Sequence, residues 1–430
     1  MMRRAASQVT LLAAPFILWM ATAAPTFVDQ TASFQRVKFQ PGDLFDNPGA
    51  WFSKKGKLNY DRPAIDSAIE RIYIELSTGN LDKSLEIAGR LVEQYPNFRV
   101  GHLIRGDLLL LKAGRPLRTV GDVPSPLDRS RDIADLREEA IVRLRAYRDR
   151  PAPNTVPREL VQLRSDQRYA ILIDTRRSRL FLYENTAPFP KLITDFYITQ
   201  GKMGADKARE GDQKTPLGVY TVTELLPKQK LNDFYGSIAL PINYPNEWDK
   251  RQGRTGHGIW LHGVPSGQIS RPPRASDGCV VLANADLEQL QRFVKVGATP
   301  VVISDSLEFV SQENWEIDRQ TILGVVDAWR QDFESAEADR VLEHYSAQSY
   351  IDGIPIDRWR TRKMVFDRDK APRLSLNNMV VMRYPSRDDM MLITFDQNLS
   401  IDGNNQISKR KQYWVREGTR WRIVHETAQG

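Results

Sequence analysis

The only cysteine of the chain, Cys279, lies seventeen residues after His262, in the segments Gly256-His-Gly-Ile-Trp-Leu-His-Gly-Val264 and Ala275-Ser-Asp-Gly-Cys-Val-Val-Leu282. A thiol ionises near pH ~8.5, so a cysteine nucleophile working at neutral pH wants an imidazole within hydrogen-bond reach to take its proton. His262, followed by a glycine that allows close approach, is the candidate base. Gly278 suits a strained turn that exposes the sulfur and points backbone N–H groups at a developing oxyanion. An unpaired cysteine can also be an inert buried hydrophobe or half of an intermolecular disulfide, and the neighbouring histidine is what favours a working thiol. His257 lies five residues before His262, and on an extended strand such residues face opposite ways, so His257 is expected to be structural. Two histidines on opposite faces and one cysteine supply no closed zinc ligand set, and no metal is expected.

Further candidates surround this pair. Tyr235, Tyr244, Trp248 and Trp260 cluster before the histidine strand and can line a substrate groove or belong to the core; Tyr235, Trp248 and Trp260 are taken as substrate-binding. Arg254, Arg271 and Arg274 flank the motif as carboxylate partners or solvated loop charges, and Arg274 is the substrate-binding candidate among them. Ser276, three residues before the cysteine, completes that set. Asp277 can tune the site or simply occupy an exposed turn.

These residues need a rigid frame, and the patterning supplies one. From Tyr169 to Asp305 short β-rich runs alternate with turn residues, at Tyr169–Ile173, Leu180–Tyr183, Leu192–Thr199, Gly218–Glu224, Gly258–His262, Cys279–Leu282 and Pro300–Ile303. One helix interrupts them, with its cap at Asn284 and its end at Gly297. Upstream, residues 55–148 have helical spacing: Ile65, Ile69, Ile72 and Leu76, then Leu81, Leu85, Ala88 and Val92, then Phe98 to Leu111, and a further helix over Asp128 to Tyr147. The short helices suggest a tetratricopeptide unit but lack its repeated signature, so a packing or homodimerisation domain is expected. Residues 149–162, rich in proline, read as an extended linker.

The last segment, 314–430, opens on an amphipathic helix through Ile322, Val325, Val326, Trp329 and Phe333 and closes on four strand-like runs. Its element order resembles the cone-shaped nuclear-transport-factor-like fold, an α+β arrangement. The segment holds five of the nine tryptophans; Trp329 reads as core, whereas Trp414 and Trp421 read as lining an open pocket. The fold class is therefore multidomain: N-terminal helices, a central mainly-β sandwich over 163–306 and a C-terminal α+β cone.

Composition agrees with globular domains: 41% hydrophobic and 27% charged residues, net charge +7, with no dense Lys/Arg run. This excludes a membrane transporter, a collagen-like or disordered chain, and dedicated nucleic-acid reading. Arg3-Arg4, the apolar stretch from Val9 to Ala24 and Ala21-Thr22-Ala23 describe a secretory signal peptide over residues 1–23, the other reading being a retained single-span anchor, and either places the protein in the periplasm or at the cell wall.

The His-Gly, spacer, Ser-x-Gly-Cys pattern, preceded by Glu210-Gly-Asp-Gln-Lys-Thr-Pro-Leu-Gly-Val-Tyr220, resembles the L,D-transpeptidase catalytic-domain (YkuD) family over Leu163 to Asp305. The resemblance implies attack by Cys279 on the L-centre carbonyl of diaminopimelate in a peptidoglycan tetrapeptide stem, with release of D-alanine and formation of a thioester. It implies that His262 is the base, that the Gly263 carbonyl orients the imidazole, and that the Gly278 and Cys279 amides form the oxyanion hole. No cofactor is implied. Most transpeptidases of the family carry arginine two residues after the cysteine, where this chain has Val281. The Ser-Asp-Gly-Cys-Val-Val-Leu motif and three-part layout resemble the cell-shape L,D-carboxypeptidases of curved and helical bacteria, which use water as acceptor. The other reading is a non-catalytic cell-wall-binding scaffold.

Overall fold

The computed structural model describes residues 62–122, 131–361, 372–386 and 388–429. The expected signal segment lies outside them. Four helices come first: α1 (Ala64–Ser77), α2 (Leu81–Gln94), α3 (Arg99–Lys112) and α4 (Arg131–Arg148). Their apolar stripes meet in a small core containing Ile69, Ile72, Ala88, Leu91, Ile104 and Leu144.

The central domain is a sandwich. One sheet has the strand order Lys191–Tyr197, Arg179–Glu184, Tyr169–Asp174, Pro300–Ser304, Gly218–Thr221. The other has the order Val280–Val281, Trp260–His262, Ile238–Pro241, Leu226–Pro227. Between them Ile171, Ile173, Leu180 and Phe196 meet Leu240, Leu261 and Val280, with Leu287 and Leu290 of the helix Asn284–Gln291 closing the end. The expected cap, Asn284, is instead the first helical residue after Ala283, its side chain being bonded to Ser237 and Val264, and the helix ends at Gln291, short of the expected Gly297.

The C-terminal domain wraps a seven-stranded sheet, order Ile354–Pro355, Tyr345–Ile351, Arg420–Gln429, Asn404–Glu417, Met390–Ile401, Arg373–Tyr384, Leu160–Gln162, over the helix Gln312–Glu334. Period-two alternation gives this sheet two apolar faces. Val381, Met391, Ile393 and Trp414 pack on Ile322, Val326 and Trp329 of the helix. Met382, Tyr384, Met390, Leu392 and Tyr413 pack instead on Leu172, Phe181 and Tyr183 of the central domain.

Two expectations are corrected here. The 149–162 linker is built into the fold: Thr155–Pro157 pairs with Phe309–Ser311, and Leu160–Gln162 forms the edge of the C-terminal sheet. Local sequence does not announce this, because the pairing partners lie more than a hundred residues away. Trp414 and Trp421 line no open pocket; both are buried in the C-terminal core, and the Trp414 indole N–H donates to Gln412 at 3.0 Å.

The helical and central domains meet over a buried ionic cluster. Asp66 of α1 accepts from Arg143 of α4 at 2.6 Å and from Arg179 of the central sheet at 2.5 Å. Arg179 also donates to Asp195 at 2.9 Å, and Arg62 donates to the other Asp195 oxygen at 3.0 Å.

Candidate active site

The histidine and cysteine strands run parallel, with Leu261 opposite Val280 and His262 opposite Val281. Leu261 and Val280 are buried in the sandwich core. Alternation therefore turns Trp260 and His262 to the other face, and Cys279 immediately precedes the strand Val280–Val281. There Cys279 and His262 line one cleft.

His262 is 2% exposed, and its Nδ1 lies 2.7 Å from the Gly263 carbonyl oxygen. A carbonyl only accepts, so Nδ1 carries the proton and Nε2 keeps its lone pair. Burial lowers the imidazole pKa to about 4, with the nearby Arg271 charge adding to the fall and the Gly263 carbonyl opposing it. Burial also raises the Cys279 thiol, against the pull of the Trp260 amide and of Arg271 and Lys207. Both shifts favour the uncharged forms of the two groups, and the Cys279 thiol donates to the Gly258 carbonyl at 3.5 Å.

Three devices fix this geometry. The Asn284 carboxamide accepts from the Ser237 and Val264 amides at 3.2 Å and donates to the Val264 carbonyl at 2.9 Å, which ties down the stretch after His262. A Cβ on Gly263 would stand 2.0 Å from Asn284 Oδ1, so that approach requires glycine. The Ser276 hydroxyl donates to the Cys279 carbonyl at 2.6 Å and accepts from the Gly278 amide at 3.2 Å. Gly278 has φ +129°, and a Cβ there would meet the Lys214 carbonyl at 2.8 Å. Thr215, from the Lys-Thr-Pro turn, accepts from the Gly201 amide at 3.0 Å and donates to the Gly278 carbonyl at 2.9 Å.

The remaining sequence candidates divide. Tyr235 and Ser276 line the cleft, but the Ser276 hydroxyl is engaged within the turn that leads to Cys279. The Gly278 amide is likewise engaged by Ser276, which leaves the Cys279 amide as the remaining candidate for the oxyanion. Trp260 packs against Tyr235 with the rings tilted, centroids 4.8 Å apart, outside the cleft lining. Trp248 lies away from the cleft, stacked on Tyr413 of the C-terminal domain at 5.3 Å. Tyr244 is buried and donates to the Thr255 carbonyl. Arg274 is exposed on a strand that pairs with Gln200–Gly201 and does not line the cleft. Asp277 lines the cleft and accepts from Lys202 at 2.8 Å and Gln213 at 2.9 Å.

The opposite-face argument for His257 fails. The strand begins only at Trp260, and Gly256 and Gly258 have positive φ, so alternation does not reach back to residue 257. His257 sits exposed on the cleft rim, 3.5 Å from Glu210.

Sequence reasoning missed Phe234 and the loop carrying Lys207, Glu210 and Gly211, all of which line the cleft. Phe234 adjoins the candidate Tyr235 in a short 3₁₀ turn capped by Asn232, whose side chain accepts from the Phe234 amide. Arg271, weighed but passed over for Arg274, lines the cleft too.

Residues 168–303 match the model of the L,D-transpeptidase catalytic domain, and residues 321–427 match that of the Cds6 C-terminal NTF2-like domain. The protein thus combines an L,D-transpeptidase-type catalytic domain with N-terminal helices and a C-terminal NTF2-like domain. Among solved structures, Bd1075 from Bdellovibrio bacteriovorus is 28% identical, with a TM-score of 0.57 over 64% of this chain and 98% of that one. The helical cell shape determining protein Pgp2 from Campylobacter jejuni is 22% identical, with a TM-score of 0.53 over 64% of this chain and 94% of that one, a likeness of fold. No curated protein matches the chain.

Proposed function

We propose that the protein is a cysteine acyl-transfer enzyme acting on peptidoglycan tetrapeptide stems. The observation that carries this reading is the His262 Nδ1 to Gly263 bond, which leaves Nε2 as a base on the cleft that Cys279 also lines. Cys279 Sγ attacks the L-centre carbonyl of diaminopimelate while Nε2 takes the thiol proton, and the Cys279 amide receives the oxyanion. Collapse breaks the amide bond, His262 returns the proton to the departing D-alanine amine, and a thioester remains. An amine or water then attacks the thioester. His262 takes the acceptor's proton and passes it to the sulfur, restoring the thiol.

The substrate sets the location, periplasmic or at the cell wall. The fold shared with Pgp2 supports a role in cell shape.

The test is to incubate the purified protein with disaccharide-tetrapeptide and read the product masses. Disaccharide-tripeptide with free D-alanine identifies water as the acceptor, and cross-linked dimers identify an amine. If no D-alanine is released, the proposal is wrong.

A further inference from the structure

Arg271 is half-buried in the cleft wall beside His262 and Cys279. Its one side-chain hydrogen bond among the described residues goes from Nη2 to the Ala275 carbonyl at 2.8 Å. Its guanidinium also lies over the Phe234 ring, 6.0 Å from the centroid. Among the described residues no carboxylate comes within 4.0 Å of it. Asp277, on the same cleft, is committed to Lys202 and Gln213.

Three arginines in the domain cores and seams are treated differently. Arg143, Arg179 and Arg410 each hold a carboxylate. A half-buried cation with no carboxylate in contact is costly, and burial lowers the Arg271 pKa against the more distant pull of Asp277. Its position is nevertheless enforced. Tyr197 donates to the Arg271 carbonyl at 2.8 Å, and Thr199 donates to the Pro272 carbonyl at 2.8 Å. Tyr197 itself lies under the Arg143 guanidinium of α4, 3.9 Å from its ring centroid. The helical domain therefore backs the segment that presents this charge.

We propose that Arg271 is the specificity determinant for a free carboxylate at the end of the donor peptide, the α-carboxylate of the residue that is expelled. The inference rests on the acyl-transfer reading and adds to it a rule of selection. A stem whose terminal residue is amidated, or joined onward through its carboxyl group, leaves the guanidinium unpaired in the closed complex and is rejected. Planar, forked donors suit a carboxylate in a way that a single ammonium does not.

The test uses the full chain as Cys279→Ala, titrated calorimetrically with disaccharide-tetrapeptide ending in D-alanine and with the same compound ending in D-alaninamide. The acid is expected to bind about 10- to 100-fold more tightly than the amide, the size of one charge-assisted contact. In Cys279→Ala/Arg271→Gln the acid-to-amide ratio should fall to near one, and Arg271→Lys should restore part of it. Circular dichroism melts confirm that each variant is folded. A ratio near one with Arg271 present, or a ratio that survives Arg271→Gln in a folded protein, overturns the proposal. Because binding is read without turnover, the two readings fail separately. Discrimination in Cys279→Ala without D-alanine release by the intact protein would sink the acyl-transfer reading and leave the carboxylate site standing.

Discussion

His262 and Gly263 are joined by a 2.7 Å hydrogen bond from the imidazole Nδ1–H to the carbonyl of the very next residue. The contact is local in sequence but not in cause. Asn284, twenty-one residues after Gly263, ties down the loop beside it, and the Tyr235 carbonyl accepts from the Gly263 amide at 2.9 Å.

Replacing Cys279 by alanine or serine should reduce D-alanine release at least about a thousandfold, because the loss of a covalent nucleophile is not made good by binding alone. The thioester intermediate, trapped by acid quench and read by intact mass, should disappear with it. Turnover by a folded Cys279→Ala protein above that level argues against covalent catalysis.

The pH profile follows from the neutral pair. With the His262 pKa near 4, kcat/KM should stay level from about pH 8 down to about pH 5 and fall only as the imidazole is protonated. The same shift acts on stability. The unfolded chain takes up this proton near pH 6.5 and the folded one only near 4, so stability drops as pH falls through that window, by up to about 3 kcal/mol at its lower end. An inflection of kcat/KM near pH 6 to 7 would instead indicate a resting thiolate–imidazolium pair.

Asn284→Ala should lower kcat by about 10- to 100-fold with a smaller change in KM, since it loosens the loop that aims the base without touching substrate. Asn284→Asp keeps the two acceptor bonds and should recover part of the loss. An effect on KM alone would mean that the side chain meets substrate.

Burial pushes the Asp66 carboxyl upward, but Arg179, Arg143 and Arg62 outweigh it and hold the group well below the usual carboxylate range. Asp66→Asn strips the shared anion from these guanidiniums and should cost about 3 to 5 kcal/mol, read as a lowered denaturation midpoint. A folded pKa below the unfolded value gives stability that is full above about pH 5 and lost as pH falls through 4 and below. The acid limb of the stability curve should therefore flatten in Asp66→Asn.

Trp248→Ala should destabilise the protein by about 1 to 3 kcal/mol through loss of its stack on Tyr413 and of its half-buried apolar area. KM for a soluble tetrapeptide, measured where the variant is folded, should hold steady. A raised KM would return Trp248 to the substrate groove.

The candidate pair, Cys279 and His262, is legible in the sequence because a lone cysteine and a histidine-glycine step constrain chemistry before any fold is known, and the structure places both on one cleft. The helical stripes and most strands are legible for a similar reason, since each rests on a local period. What sequence hides is decided by partners far along the chain. Trp248 and Trp260 look alike as residues, yet one meets Tyr413 of another domain and the other backs Tyr235. Arg271 and Arg274 differ by three positions in a loop, and only the pairing of Arg274–Ser276 with Gln200–Gly201 sorts cleft from surface. Leu160 reads as linker because its strand partner, Met382, is supplied by the C-terminal domain.

The pairing of Val156 with Val310 and of Leu160 with Met382 makes the catalytic sandwich an insertion between the edge strand of the C-terminal sheet and the rest of that sheet. During synthesis the edge strand leaves the ribosome long before its neighbour exists. The sandwich must mature with the face of Phe181 and Tyr183 uncovered until the last hundred residues arrive. Contacts of such long sequence separation are slow to form, and the waiting face is a natural client surface for a holding chaperone.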